Sequence, residues 1–125
     1  VMIGGFIIGG AENEDSSVVL RALGPSLANF SVANPLKDPV LELHNENGDI
    51  ISSNDNWKDS QEAEIEGDHL APTDPRESAL AATLAPGSYT IIERGKHNTT
   101  GVGLIEIYRL PSTTASFPPA ITARP

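Results

Sequence analysis

Ten residues, all apolar or glycine, open the chain: Val1-Met2-Ile3-Gly4-Gly5-Phe6-Ile7-Ile8-Gly9-Gly10. The run is too short to cross a bilayer, which takes about 20 apolar residues. It also has neither the basic lead-in nor the small-residue cleavage site of a secretion signal. Its isoleucines and valine favour a pleated strand. A strand this greasy cannot stand as a free edge without inviting other chains to pair with it. It therefore reads as a buried strand whose pairing partner lies upstream or on a neighbour. That is the expectation for a processed product, a fragment, or a subunit completed by another copy.

The remaining punctuation is that of an all-β protein. The chain has 125 residues, with 11 Gly and 10 Pro, and the length suits one domain with a real core. Ser17–Leu23, Val40–His44, Ile50–Ser53, Ser78–Leu84, Tyr89–Arg94 and Val102–Leu110 read as further short strands. In the second strand Val18, Leu20 and Ala22 share one face, and Val19, Arg21 and Leu23 the other. Asn45-Glu46-Asn47-Gly48-Asp49 supplies a hairpin turn, since Asn and Gly both tolerate positive φ. Leu27–Asn34 and Ser60–Glu66 are read as short helical turns, the latter capped by Asp59-Ser60-Gln61-Glu62. The fold class expected is an antiparallel β-sandwich of seven to nine strands, jelly-roll or immunoglobulin-like. Its expected core is Leu20, Leu41, Leu43, Leu84, Tyr89, Ile91, Leu104 and Ile107, with Val102–Leu110 as a central strand. The domain is placed at residues 1–110. Residues 111–125 form a Pro-rich extension in which Ala120-Ile121-Thr122-Ala123 can add as an edge strand.

Composition excludes several functions. A net charge of −9 opposes a sequence-independent grip on nucleic acid and adhesion to anionic membranes. With no cysteine, disulfides, thiolate metal sites and cysteine nucleophiles are all absent. The histidines, His44, His69 and His97, have no metal-ligand spacing. Gly24-Pro25-Ser26 lacks the following glycine of a nucleophile elbow and reads as a turn. Glu62, Glu64 and Glu66 fit a solvated acidic loop better than a pair of glycosidase carboxyls. Asn29-Phe30-Ser31 and Asn98-Thr99-Thr100 match the N-glycosylation triplet, a pattern common by chance.

Two candidates remain. Asn54, Asp55 and Asp59, with Asp38 nearby, are hard oxygen donors of the kind calcium takes, and equally the residues of a strand-ending Asx turn. Trp57 is either a platform for a sugar ring or the buried anchor of its loop.

Met2-Ile3-Gly4-Gly5-Phe6-Ile7-Ile8, Arg21-Ala22-Leu23-Gly24-Pro25-Ser26-Leu27, Leu41-Glu42-Leu43-His44, Ser53-Asn54-Asp55-Asn56-Trp57, Arg76-Glu77-Ser78-Ala79 and Thr100-Gly101-Val102 together resemble a bacterial domain found in tandem in large secreted proteins. That domain is loosely similar to the pre-peptidase C-terminal sandwiches. The resemblance covers nearly the whole chain and implies an extracellular β module without catalysis. In such arrays a short Ile-Ser-Thr-Arg-like strand precedes each Met-Ile-Gly-Gly-Phe run. Here Ile121-Thr122-Ala123-Arg124 matches it, with Ala123 departing from the pattern, and lies at the opposite end of the chain.

The function expected is thus a non-enzymatic structural module of a surface fibre or large secreted protein. Its partners are copies of itself, joined head-to-tail by strand donation through Val1, Ile3, Phe6, Ile8, Phe117 and Ile121. The alternative is a glycan-binding or adhesion module built on Trp57.

Overall fold

The computed structural model describes residues 1–11 and 14–111. Phe117, Ile121 and the edge strand expected at Ala120–Ala123 lie outside them. Among the described residues seven strands and one short helix follow in order: β1 Met2–Ile8, β2 Ser16–Leu23, β3 Pro39–His44, β4 Ile50–Asn54, α1 Glu62–Gly67, β5 Ser78–Leu84, β6 Gly87–Gly95 and β7 Leu104–Arg109. Short 3₁₀ turns occupy Pro25–Phe30, Trp57–Asp59 and Lys96–Asn98. No helix among the described residues is long and apolar enough to cross a membrane.

The strands form two antiparallel sheets, β1-β6-β3-β4 and β5-β2-β7, in the sandwich-like arrangement expected. Pleat alternation decides what each sheet turns inward. Val18, Leu20 and Ala22 of β2 meet Leu41 and Leu43 of β3, Leu80 and Leu84 of β5, Ile91 of β6 and Ile8 of β1 in one core. Phe6 and Tyr89, opposite each other in the β1–β6 ladder, stack at 5.5 Å against its margin. A second, smaller cluster lies on the outer side of the other sheet, where Trp57, Ile65 and Ala79 pack beneath the acidic excursion. In the β3–β4 hairpin only Gly48 takes a positive φ, +84°, while Asn45 Oδ1 accepts the N–H groups of Asn47 and Asp49. The side-chain acceptor does the work assigned to a second left-handed residue.

Three expectations need correction. β7 is not central but ends its sheet, with β2 on one side and no further strand on the other among the described residues. Leu104 and Ile107 are accordingly not sealed core but 41% exposed each. Ile107 is the more telling of the two. It stands opposite Leu20, whose side chain points into the core, so Ile107 faces inward and is still wet. Finally, α1 has no side-chain cap, because the Gln61 amide is bonded elsewhere.

Leu43 has no exposure and sits at the centre of the shared core. Leu43→Ala should lower stability in urea unfolding by about 2–5 kcal/mol, the range for truncating a buried leucine. An effect under about half a kilocalorie would place that strand face outside the core.

Candidate functional site: the open seam and its buried acids

Two buried acids, Glu77 and Glu93, are held in opposite ways, and the contrast defines the site. Glu77, at the mouth of β5, is fully buried. Its Oε2 accepts the Gly24 N–H at 2.9 Å, the Ser26 N–H at 2.9 Å and the Ser26 hydroxyl at 2.6 Å, and its Oε1 accepts the Asp74 N–H at 3.3 Å. Its carbonyl receives the Trp57 N–H at 2.9 Å. One carboxylate thus ties the Gly24-Pro25-Ser26 turn to the start of β5. Gly24 is obligatory there, because a Cβ would lie 2.1 Å from the Leu36 carbonyl oxygen. Ser26, bonded to this acid, is a structural hydroxyl.

Much of the Asn54–Asp59 cluster is also engaged within the chain, although Asp55 Oδ1 and the nearby Asp38 Oδ1 are buried without a partner among the described residues. Asn54 Oδ1 accepts the Ala79 N–H, and its amide donates to the Asn56 carbonyl and the Ser60 hydroxyl. Gln61 grips both backbone groups of Ala81 at 2.9 Å. Two side-chain amides therefore stand in for a neighbouring strand on the free edge of β5. Asp55 receives the Lys96 ammonium. Asp55, Asp38 and Asp59 together hold Lys96 above the usual lysine range, the Asp55 bond foremost. Burial, followed by the charge of Asp55, pushes the Asp38 carboxyl up. The cation among these acids is the chain's own lysine. Among the described residues no group of three or more His, Cys, Asp or Glu is placed to hold a metal ion.

Trp57 is 4% exposed, and Lys58 lies over its ring at 5.4 Å from the centroid. The indole anchors its loop and has no open face for a sugar. His44 bonds Glu42 and the Gly48 carbonyl, while His69 and His97 are exposed in left-handed turns.

Glu93 is the opposite case. It is 2% exposed, and both its carboxyl oxygens are buried without a hydrogen-bond partner. Burial, reinforced by the negative charge of Glu77, pushes its pKa up to about 8. It stands opposite Met2 of β1 and Leu41 of β3, on the inner face of its sheet. Its carboxyl lies so near Gly103 that a Cβ there would come within 2.7 Å of either oxygen. A cavity of about 190 Å³ opens beside it, lined among others by Val1, Met2, Leu36, Gly101 and Gly103.

That cavity is one end of a seam. β1 and β7 each end a sheet, and they face each other across the opening. Near the middle, a Cβ on Gly4 would touch Ile105 at 3.9 Å. At the far end a second cavity of about 180 Å³ lies among Phe6, Ile7, Ile8, Ser16, Val18, Ile107 and Arg109. Of the residues assigned to an interface, Phe6 and Ile8 are used in the chain's own core. Val1 and Ile3 are exposed, as is Ile7, at 63% for Ile3 and 78% for Ile7. Sequence reasoning missed Glu77 and Glu93. For Glu93 the signal was present, since residues 89, 91 and 93 share a strand face and the first two were assigned to the core.

Comparison with family models, with curated proteins and with solved structures finds no match to this chain.

Two outcomes follow from the acids. Glu77→Ala should cost about 3 kcal/mol or more, because it strands buried donors at about 1–3 kcal/mol each. Glu93, raised from 4.5 to about 8, holds its proton in the folded state and not in the unfolded one between those values. Its contribution is therefore fully present below pH 4.5 and is lost as pH rises through 8. Melting temperatures of the wild type against Glu93→Gln should diverge in favour of the variant toward pH 9. Parallel curves would show that Glu93 is solvated.

Proposed function

We propose that this chain is a non-catalytic structural module of an extracellular fibre or surface protein, assembled head-to-tail. In this reading the Ala120–Arg124 strand of one copy enters the β1/β7 seam of the next. The observation that carries the reading is the seam itself: two sheet ends face each other, unpaired among the described residues, with inward-pointing Ile107 left wet. The β5 edge of the same molecule, by contrast, is covered by Asn54 and Gln61.

An added strand supplies main-chain hydrogen bonds and apolar burial together. A contact of this heterologous kind, if it does not close a ring, produces an open fibre. A second copy is favoured over the chain's own tail by the outer face of β1. Val1, Ile3 and Ile7 are exposed there, beside the seam. A five-residue strand of the same chain would leave most of that apolar surface in water, whereas the body of a neighbour can cover it. The acidic, cysteine-free composition and the resemblance to tandem secreted domains support an extracellular setting.

Sedimentation of the complete chain over a range of concentrations tests the proposal. The expected result is concentration-dependent growth into filaments, abolished by deleting Ser116–Pro125 while the remaining chain stays folded. Filaments that survive the deletion, or a complete chain that stays monomeric at high concentration, would overturn it.

A further inference from the structure

We propose that the Glu93 cavity is an arginine-reading pocket, in which the guanidinium of Arg124, carried on the strand donated by a second copy, meets the Glu93 carboxylate between Met2 and Gly103. The inference rests on strand addition at the seam and assigns its register and direction.

The direction follows from the two flanking strands. Met2, at the start of β1, is opposite Glu93, and Gly103, immediately before β7, lies against the same carboxyl. The ends of both strands, Ile8 and Arg109, line the cavity at the far end of the seam. β1 and β7 therefore run the same way. A strand inserted antiparallel to both leaves its C-terminal end at Glu93. In Ala120-Ile121-Thr122-Ala123-Arg124 the arginine stands at that end. Five residues span about 17 Å at roughly 3.4 Å each, within the length of the seven-residue β1.

The chemistry fixes the residue. A buried carboxyl with neither oxygen bonded is costly, and a planar guanidinium can satisfy both oxygens at once. Arg124 is the only charged residue of 112–125. No described cation serves instead. Arg94, which also lines the cavity, donates its Nη2 to Glu42 at 3.2 Å, and Lys96 is held by Asp55. Pleat alternation then sets Ala120 and Thr122 on the inner face with Arg124. Ile121 falls on the outer face, the face on which Ile3 and Ile7 stand exposed.

A double-mutant cycle on the complete chain, read by sedimentation, tests the pairing. Arg124→Ala and Glu93→Gln should each weaken association by about tenfold or more, as expected for truncating one member of a buried charged pair. The combined variant should be no weaker than the worse single one. Arg124→Lys should retain part of the affinity. Glu93→Gln is close in shape and relieves a buried carboxyl, so its monomer should remain folded by circular dichroism. A polymer indifferent to Arg124→Ala, or losses that simply add, would overturn the arginine assignment and leave strand addition standing. A wild-type chain that never associates would overturn both. A monomer whose melting temperature falls on Arg124→Ala would assign the pocket to the chain's own tail and overturn the second copy as its source.

Discussion

The carboxylate of Glu77 is the point through which the rest of the molecule is organised. It has no exposure, and it gathers donors from residues 24, 26 and 74 while its own carbonyl holds Trp57. Without it, the turn after β2 would bury two backbone N–H groups with no acceptor, a cost comparable to a large share of a small domain's net stability. The fixed turn positions Leu27 and Leu36 under one end of the sandwich, and Gly24 allows the chain to pass within contact of Leu36. The hydroxyl of Ser78, next in sequence, lies within hydrogen-bond reach of the carbonyls of Pro39 and Asp55 and shares its one proton between them, which joins the two sheets at that end. Arg-Ala-Leu-Gly-Pro-Ser and Arg-Glu-Ser-Ala, distant in sequence, are thus two halves of one hydrogen-bonded joint.

The free edges of the sheets are treated in different ways. On β5, side-chain amides take the place of a strand, and the acidic excursion packs Trp57 and Ile65 over its outer face. That excursion carries eight of the 17 acids, and Lys96 from another loop lies among three of the chain's carboxylates, so burial of its charges is shared. β1 and β7 receive no such cover among the described residues. An edge exposing apolar side chains and unpaired backbone is the arrangement that natural sheets ordinarily blunt with charge, proline or a bulge. Here β1 carries none of these, and two of its seven residues are glycine.

Most of the architecture was legible because strand alternation and turn residues act locally. Leu41 with Leu43, and Val18 with Leu20 and Ala22, announce their inward face by spacing alone, and Asn47-Gly48 announces the turn. What was not legible depends on sheet order, which no local signal carries. Val102–Leu110 is apolar on both faces, so it reads as central. Leu104 and Ile107 are apolar because of where the strand lies, beside the seam, and not because both faces are sealed. The donor cluster at Asn54–Asp59 was ambiguous for a related reason. An oxygen that ligates a cation and an oxygen that accepts an N–H have the same sequence signature, and only the partners Ala79, Asn56 and Lys96, from near and far in the chain, separate them.

Glu93 shows why an acid would be kept inside a seam that could have been wholly apolar. A flat, glycine-containing edge specifies register weakly, and a slip of one residue turns every side chain to the opposite face. Apolar contacts have no directional requirement of their own and discriminate less sharply between neighbouring registers than a polar pair does. A single buried acid does not tolerate a slip, because a strand entering out of register leaves both the carboxyl and the incoming guanidinium desolvated and unpaired. The same argument sets polarity. A strand entering parallel to β1 and β7 would carry its arginine to the far cavity, where Arg109 would oppose it. On this account the seam's apolar walls supply most of the affinity. Glu93 supplies the choice of strand, direction and register, at a standing cost to the uncombined subunit that a partner's guanidinium removes.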